Sequence, residues 1–335
     1  ARTCSGRRRA TMANELLIMR HAKASRKKPV TDFERPLTRS SKLACFRVGT
    51  WIVQQVLIPD YILCSPAVRA LETARKTCKA MGLNTEMIHE EPALYHESAE
   101  TLLSLLRDIP GTAKRVLLVG HNPELDDLLQ ILTGTVSADT DDGVQLSRGG
   151  LAHLRLTQSW QDLEPGSAAL QTIVRPKKLP DKFPYSEQNR VIEQRDRPAY
   201  YYTQSGVVPY RVADGKIEVL VISSSGGRHW VMPKGIAEPG ISLQDSALQE
   251  ANEEAGVDGI VEQEPLGEFQ YDKWGSQCTV TVYPMLVLRE IPEQQREEKH
   301  RQRRWMSPAE AVEILDQPAL AGMVELLVKQ LKETA

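Results

Sequence analysis

No apolar run in this 335-residue chain approaches the ~20 residues that a helix needs to cross a bilayer, so a soluble protein is expected. Cysteine is sparse: Cys4, Cys45, Cys64, Cys78 and Cys278 are scattered without C-x-x-C spacing, and three of them sit within apolar patterns. That usage excludes a thiolate zinc site and points to a reducing, cytoplasmic compartment. There is little excess charge, with a formal net of -2 and a pI near 6.5. Such a balance argues against nucleic acid or an anionic membrane as a partner. The start of the chain is basic but has no apolar core of the kind a signal peptide needs. Residues 1–13 are therefore expected to be an extension ahead of the first strand.

The length fits two domains of ordinary size, each able to bury a core. In the first, apolar runs at 15–19, 61–65 and 116–119 read as strands, and helical patterns near 39–56, 68–81, 98–108 and 124–133 alternate with them. The alternation predicts a doubly wound α/β layout over 14–180. Pro176-Lys177-Lys178-Leu179-Pro180-Asp181 closes that pattern, and 187–198 is polar and highly charged, so 181–198 is expected to be a linker. Over 199–335, strands at 207–210, 217–223 and 279–288, with helices at 308–315 and 319–331, predict an α+β domain.

The chemistry of the first half starts at Arg20-His21, delivered by the apolar run Leu16-Leu17-Ile18-Met19. A neutral imidazole attacks phosphorus, and a guanidinium holds phosphoryl oxygens through its planar fork of donors. Taken alone, the pair also fits a strand end meeting water. Two more runs repeat the arrangement, however: Tyr61-Ile62-Leu63-Cys64 leads through Ser65-Pro66 to Arg69, and Val116-Leu117-Leu118-Val119-Gly120 ends at His121-Asn122-Pro123. Ligands in open α/β sheets bind outside the carboxyl ends of the strands, so Arg20, His21, Arg69 and His121 are expected around one crevice. Two imidazoles and two guanidiniums suit phosphoryl transfer, where positioning and charge neutralisation dominate.

Met19-Arg20-His21-Ala22-Lys23-Ala24-Ser25, Glu34-Arg35-Pro36-Leu37-Thr38, Ser65-Pro66-Ala67-Val68-Arg69-Ala70-Leu71-Glu72-Thr73-Ala74 and Gly120-His121-Asn122-Pro123 occur in that order. Together they resemble the histidine phosphatase superfamily, and within it the SixA-type phosphohistidine phosphatases, from about residue 15 to about 179. The resemblance implies that His21 is the phosphoryl-accepting nucleophile, that Arg20 and Arg69 clamp the phosphate, and that His121 stabilises the transferring group. It makes Arg35 and Asn122 further contacts and requires no cofactor in this domain. Many members of the superfamily protonate the leaving group with a carboxylate, which the SixA-type branch is thought to lack. Glu97 and Glu100 lie nearby, but no motif fixes either, and a solvated helix start accounts for both. An N-linked or otherwise good leaving group needs less acid help, which favours phosphohistidine or an acidic phosphate as substrate.

In the second half, Trp230-Val231-Met232-Pro233-Lys234-Gly235 leads to a helical pattern with Ala247, Leu248 and Ala251 as apolar positions and Gly256 as its stop. Glu250, Glu253 and Glu254 stand at i, i+3 and i+4, within an arc of about 100°. Such a face is either ordinary solvated surface or a site for a hard divalent cation, Mg²⁺ or Mn²⁺, which prefers carboxylate oxygens. The stretch 235–257 resembles a Nudix box, with Gly235, Glu250, Glu253, Glu254, Gly256 and Val257 in the family positions. Ile241 and Gln249 replace its first Glu and its Arg. The resemblance implies a metal-dependent hydrolase of pyrophosphate bonds, with Glu250, Glu253 and Glu254 as metal ligands, Glu253 also serving the attacking water. Gln249 retains the capacity to donate a hydrogen bond to a neighbouring carboxylate.

Flanking segments around Arg211, Lys234, Lys273 and Arg301 to Arg304 are similar to diphosphoinositol-polyphosphate and dinucleoside-polyphosphate hydrolases, which implies a small phosphate-rich substrate. Arg211, Lys234, Gly235, Lys273 and Arg303 are the expected substrate contacts, although the mixed charges at 296–304 equally fit a solvated loop. The expectation is a bifunctional phosphohydrolase, its first domain acting on a phosphohistidine-carrying protein or a small phosphate. The rival expectation is a phosphohistidine phosphatase governed by a non-catalytic, ligand-sensing Nudix domain.

Overall fold

The run at 16–19 is apolar at every position because both of its faces are covered. Leu16 and Ile18 pack on one side with Leu102, Leu106, Leu125 and Leu129; Leu17 and Met19 pack on the other with Val48, Ile52, Ala70 and Ala74. A strand buried on both faces loses the period-two alternation of a one-sided sheet. The computed structural model describes residues 13–26, 29–134, 145–187 and 190–334, and it divides into two units, Ala1–Asp181 and Lys182–Ala335. All but the last residue of the expected extension lies outside the described residues.

The first unit runs β1 (Glu15–Arg20), α1 (Arg39–Gln54), β2 (Tyr61–Cys64), α2 (Val68–Met81), β3 (Ile88–Glu90), α3 (Ala99–Arg107), β4 (Arg115–Gly120), α4 (Glu124–Thr133), β5 (Leu151–Leu156) and β6 (Ala168–Val174). Its six-stranded sheet has the order β3-β2-β4-β1-β5-β6. The first four of these are mutually parallel, while β5 pairs antiparallel with β1 and β6 antiparallel with β5. α1 and α2 cover one face and α3 and α4 the other, so the layout is the doubly wound one that the alternation predicts. Because β2, β4 and β1 are adjacent and parallel, their carboxyl ends open at the same edge.

The second unit begins inside the segment expected to be a linker. β7 (Phe183–Glu187) and β8 (Arg190–Arg195) pair as an antiparallel hairpin, with the Phe183 side chain buried. Charge alone suggested a tether, but the Arg195 guanidinium lies over the rings of Tyr185 and Tyr202, and Glu193 accepts from the Ser276 hydroxyl at 2.7 Å. The charged residues are thus partners of tyrosines and serine within the unit rather than free chain.

Beyond the hairpin come β9 (Thr203–Ala213), β10 (Lys216–Ser223), β11 (Trp230–Val231), β12 (Lys234–Ile236), α5 (Leu243–Glu250), β13 (Val257–Val261), β14 (Gly267–Lys273), β15 (Ser276–Glu290), β16 (Arg303–Met306), α6 (Pro308–Ile314) and α7 (Pro318–Thr334). The sheet path is β11-β10-β9-β15-β13, with β12 on β9, β14 on β15 and β16 on β10. Ala247, Ala251 and Ala255 pack with Val207, Leu220 and Tyr283 on one face of this sheet, and α6 and α7 pack on the other. The small alanines let the helix lie close to the strands. The expected uninterrupted helix is not observed: after Glu250 the chain makes one π-helical turn, Ala251–Ala255, in which the Gly256 N–H donates back to Ala251 and Asn252. Gly256 itself takes a left-handed φ of 65°, which ends the turn. Single π turns inside α-helices concentrate at functional sites, and this one holds Glu253 and Glu254.

Candidate active sites

The shared edge of β1, β2 and β4 delivers the four residues expected there. His21 follows β1, Arg69 lies in the first turn of α2, and His121 follows β4. His21 Nδ1 is 2.8 Å from the Ala22 carbonyl oxygen, which only accepts, so Nδ1 carries the proton and Nε2 presents its lone pair. Arg69 Nε lies 3.4 Å from that Nε2. Arg69 Nη2 reaches His121 Nδ1 at 3.3 Å, which makes Nδ1 the acceptor and leaves His121 Nε2 to donate to the Ser65 hydroxyl at 2.8 Å. The two imidazoles are 5.0 Å apart, centre to centre.

Both rings are held neutral. Burial, reinforced by the charges of Arg69, Arg20 and Arg148, lowers the His21 pKa to about 4 despite the opposing Ala22 hydrogen bond. Burial, followed by His21 and Arg69, lowers that of His121 to about 3. A neutral nucleophile inside a cluster of guanidiniums is what attack on a phosphate dianion requires, since protonation would remove the attacking lone pair.

The remaining expected residues frame this centre. Arg20 Nη1 donates to the Leu146 carbonyl at 2.9 Å, while its buried Nε has no hydrogen-bond partner among the described residues. Asn122 donates to the Asp126 carboxylate and to Leu146, so it braces the loop beside Arg20. Arg35 pairs with Asp32 at 3.3 Å, and its buried Nε is likewise unpartnered. Asp32 also takes Arg69 Nη1 at 2.9 Å and so orients both guanidiniums. Glu97 and Glu100 are exposed, Glu100 in the first turn of α3 behind its Ser98 cap, as a solvated helix start. The sequence reading missed Asp32, Tyr95, His96 and Arg148. Nothing in their spacing marks them, because loops bring them in.

In the second unit, Lys234 and Gly235 lie on β12 against β9. A Cβ on Gly235 would stand 2.0 Å from the Glu250 carboxyl group, so only glycine admits that carboxylate against the backbone. The Lys234 N–H donates to Glu254 Oε2 at 3.0 Å, and Glu254 also pairs with Arg301. Burial, then the charges of Glu254, Glu253 and Glu298, push the Glu250 carboxyl up to about 8. Gln249 Nε2 donates to Glu253 Oε1 at 2.6 Å, taking up the hydrogen-bonding role open to it in place of an arginine. Crowded carboxylates of raised pKa are the donor set that a hard divalent cation neutralises. Among the described residues, no three His, Cys, Asp or Glu side chains are arranged to hold a metal ion, because Glu253 and Glu254 are turned to Gln249 and Arg301.

The cations expected to meet substrate divide. Lys234 Nζ sits 3.1 Å from the Tyr271 hydroxyl and 3.4 Å from Gln204 Oε1, next to the carboxylates, with its pKa lowered by burial. Lys273 lies over the Trp274 ring, 4.3 Å from its centre. Two others are committed elsewhere, contrary to expectation. Arg303 donates to the carbonyls of Ala255, Gly256 and Ile291, tying the end of the π turn to the chain beyond β15. Arg211 is held by Glu218 and Glu290 and lies over Trp305.

A model of the Nudix domain family matches residues 203–327. Nudix hydrolase 21, a chloroplastic protein of Arabidopsis thaliana, is 36% identical over 149 residues, covering 42% of this chain and 73% of that protein. The uncharacterized protein MT1313 of Mycobacterium tuberculosis is 30% identical over 156 residues, covering 45% of this chain and 96% of that one. Among solved structures, the putative phosphohistidine phosphatase SixA of Nakamurella multipartitia is similar, with 29% identity and a TM-score of 0.43, covering 49% of this chain and 96% of that one. The chain belongs to the Nudix hydrolase family through its second unit, and it is a hydrolase. The family generally uses a divalent metal such as Mg²⁺. No helix among the described residues is long and apolar enough to cross a membrane.

Proposed function

We propose that the chain is a bifunctional phosphohydrolase with two independent centres. In the first unit, His21 Nε2 attacks phosphorus while Arg69, Arg20 and Arg35 take up the phosphoryl oxygens, and water then releases phosphate from His21. The observation that carries this reading is the His21 ring itself: its proton is fixed on Nδ1 by Ala22, and its free nitrogen faces Arg69. A phosphohistidine-carrying protein or a small phosphate with a good leaving group is the substrate class.

In the second unit, Glu250, Glu253 and Glu254 would hold Mg²⁺ or Mn²⁺, and Lys234 and Lys273 would meet a phosphate-rich small molecule such as a dinucleoside polyphosphate or an inositol pyrophosphate. The metal, when bound, supplies charge neutralisation at the pyrophosphate and an activated water. The protein's own part is to press Glu250 against the Gly235 backbone, to anchor Glu254 through the Lys234 amide, and to keep Lys234 at the cluster's edge. Cleavage there exposes a terminal phosphate of the kind the first unit removes, so the proposal allows sequential action on one substrate and equally action on independent substrates. The engagement of Glu253 by Gln249 and of Glu254 by Arg301 favours a second reading, in which this unit senses a phosphate-rich ligand without hydrolysing it.

Phosphate release by the full chain from dinucleoside polyphosphates, nucleoside triphosphates, inositol pyrophosphates and a phosphohistidine protein, with and without EDTA, tests the proposal. EDTA should abolish pyrophosphate cleavage and leave dephosphorylation intact. Loss of both together would overturn the two-centre reading, and tight binding of a phosphate-rich ligand without any metal-dependent turnover would install the sensing one.

A further inference from the structure

One titratable side chain at the first centre has no part in the scheme above. His96 lies in the loop between β3 and α3, one residue before the exposed Glu97, and its backbone takes a left-handed φ of 66°. Positive φ is uncommon for residues other than glycine, and where it occurs the surrounding structure must hold it in place. The His96 ring packs 4.1 Å from Tyr95 and 5.9 Å from His121, centre to centre. Tyr95 itself stands edge-on to His121 at 5.3 Å, beneath the Arg69 guanidinium at 5.8 Å. His121 is therefore the ring shared by two pairs, 5.0 Å from the nucleophile His21 and 5.9 Å from His96.

The partner of His96 comes from a different element. Glu124, the first residue of α4, places Oε1 3.6 Å from His96 Nδ1. The Glu124 side chain is mostly buried, and its Oε2 has no hydrogen-bond partner among the described residues. Nδ1 faces that carboxylate, and Nε2, which has no protein partner among the described residues, is left to meet whatever enters. A carboxylate that orients an imidazole in this way recurs wherever histidine serves as a general acid or base.

We propose that His96, facing Glu124, is the proton donor to the leaving group of the first unit, a role that no motif assigns to a carboxylate. This rests on the phosphatase reading. In the transfer step, the bond from His21 Nε2 to phosphorus forms and the bond from phosphorus to the leaving oxygen or nitrogen breaks. The leaving atom takes the proton from His96 Nε2. In the second step a water oxygen bonds to phosphorus, the phosphorus bond to His21 breaks, and the water's proton returns to His96 Nε2. Atoms and charge balance over the cycle, and His96 ends as it began. Glu124 acts through His96 and is a positioning residue.

The test uses the full chain and two substrates that differ in how much their leaving group needs a proton: p-nitrophenyl phosphate, whose phenolate leaves unaided, and an unactivated alkyl phosphate. In single turnover, His96→Asn should leave the rate of phosphoryl transfer to His21 from the aryl ester within about twofold and cut that from the alkyl ester by about 10²-fold or more, the range ascribed to general acids. Glu124→Gln should shift the ratio of the two rates in the same direction by a smaller factor. Equal losses on both substrates would show a structural role, and no loss on either would show that His96 is idle; each overturns the inference. The phosphatase reading is checked separately in the same samples. Wild-type turnover of the aryl ester with phosphate trapped on His21 upholds it, and absence of that phosphoenzyme overturns it whatever His96 does.

Discussion

Under the proposed function, the two centres meet phosphate with opposite charges. In the first unit, Arg20, Arg69 and Arg148 surround imidazoles that burial keeps neutral, so positive charge is built in and an anion completes the site. In the second, Glu250, Glu253, Glu254 and Glu298 repel one another around a carboxyl pushed up to about 8, a conflict that a bound cation would relieve. A site made of guanidiniums is ready when the chain has folded. A site made of carboxylates is conditional on metal, so the proposed function predicts a metal dependence for the second unit and none for the first.

The sharpest way to break the comparison is a pair of crossed substitutions. His21→Ala should abolish dephosphorylation and acid-labile phosphate on the protein while pyrophosphate cleavage continues, whereas Glu254→Gln should cut metal-dependent cleavage by at least about 10²-fold and leave dephosphorylation unchanged. Rates of both reactions in each variant decide the matter, and any crossed effect would mean that the centres are not independent. A smaller loss is expected from Arg69→Lys. An ammonium keeps the charge but cannot reach His21, His121 and Asp32 together as the fork does, so dephosphorylation should fall about 10²-fold with kcat affected more than KM.

Acidity and metal separate the units further. His21 and His121 have pKa values of about 4 and about 3, below the ordinary 6.5, so as pH falls the unfolded chain takes up protons before the folded one does. The first unit should hold its full stability above about pH 6.5 and lose it progressively toward pH 4, as hydrogen exchange of its β1 and β4 peptides would show. Its kcat/KM should hold well below pH 6.5, since His21 stays neutral there. The second unit should gain thermal stability on addition of Mg²⁺, and Glu250→Gln should erase that gain; an equal shift in both units would contradict a metal site confined to the second. The mildest effect is expected from Gln249→Arg, which adds a charged partner for Glu253 and should raise Nudix turnover or metal affinity only a few-fold, corresponding to about 1 kcal/mol or less.

The sequence by itself determined the strand-ending motifs and the order of elements. Short runs apolar at every position, bounded by turn residues and alternating with helical patterns, fit strands covered on both faces, and polar residues soon after them emerge at the sheet's edge, so His21, Arg69 and His121 are legible as a group. The glutamates of the second unit were legible for a similar reason, since local spacing on one helix is a sequence property. What the tertiary structure decided was how each charge is used. Arg303 and Arg211 look like phosphate ligands in the sequence, yet open carbonyls and carboxylates elsewhere in the fold claim them. The stretch at 181–198 looks like a linker, yet tyrosines and Ser276 hold part of it as a hairpin. His96 shows nothing in its neighbourhood along the chain, because its ring meets His121 and Glu124 only when the loop before α3 folds over the carboxyl end of β4. Periodicity records which residues a local element buries, whereas the partner of a long polar side chain is set by elements tens of residues away, and only folding brings those within hydrogen-bonding distance.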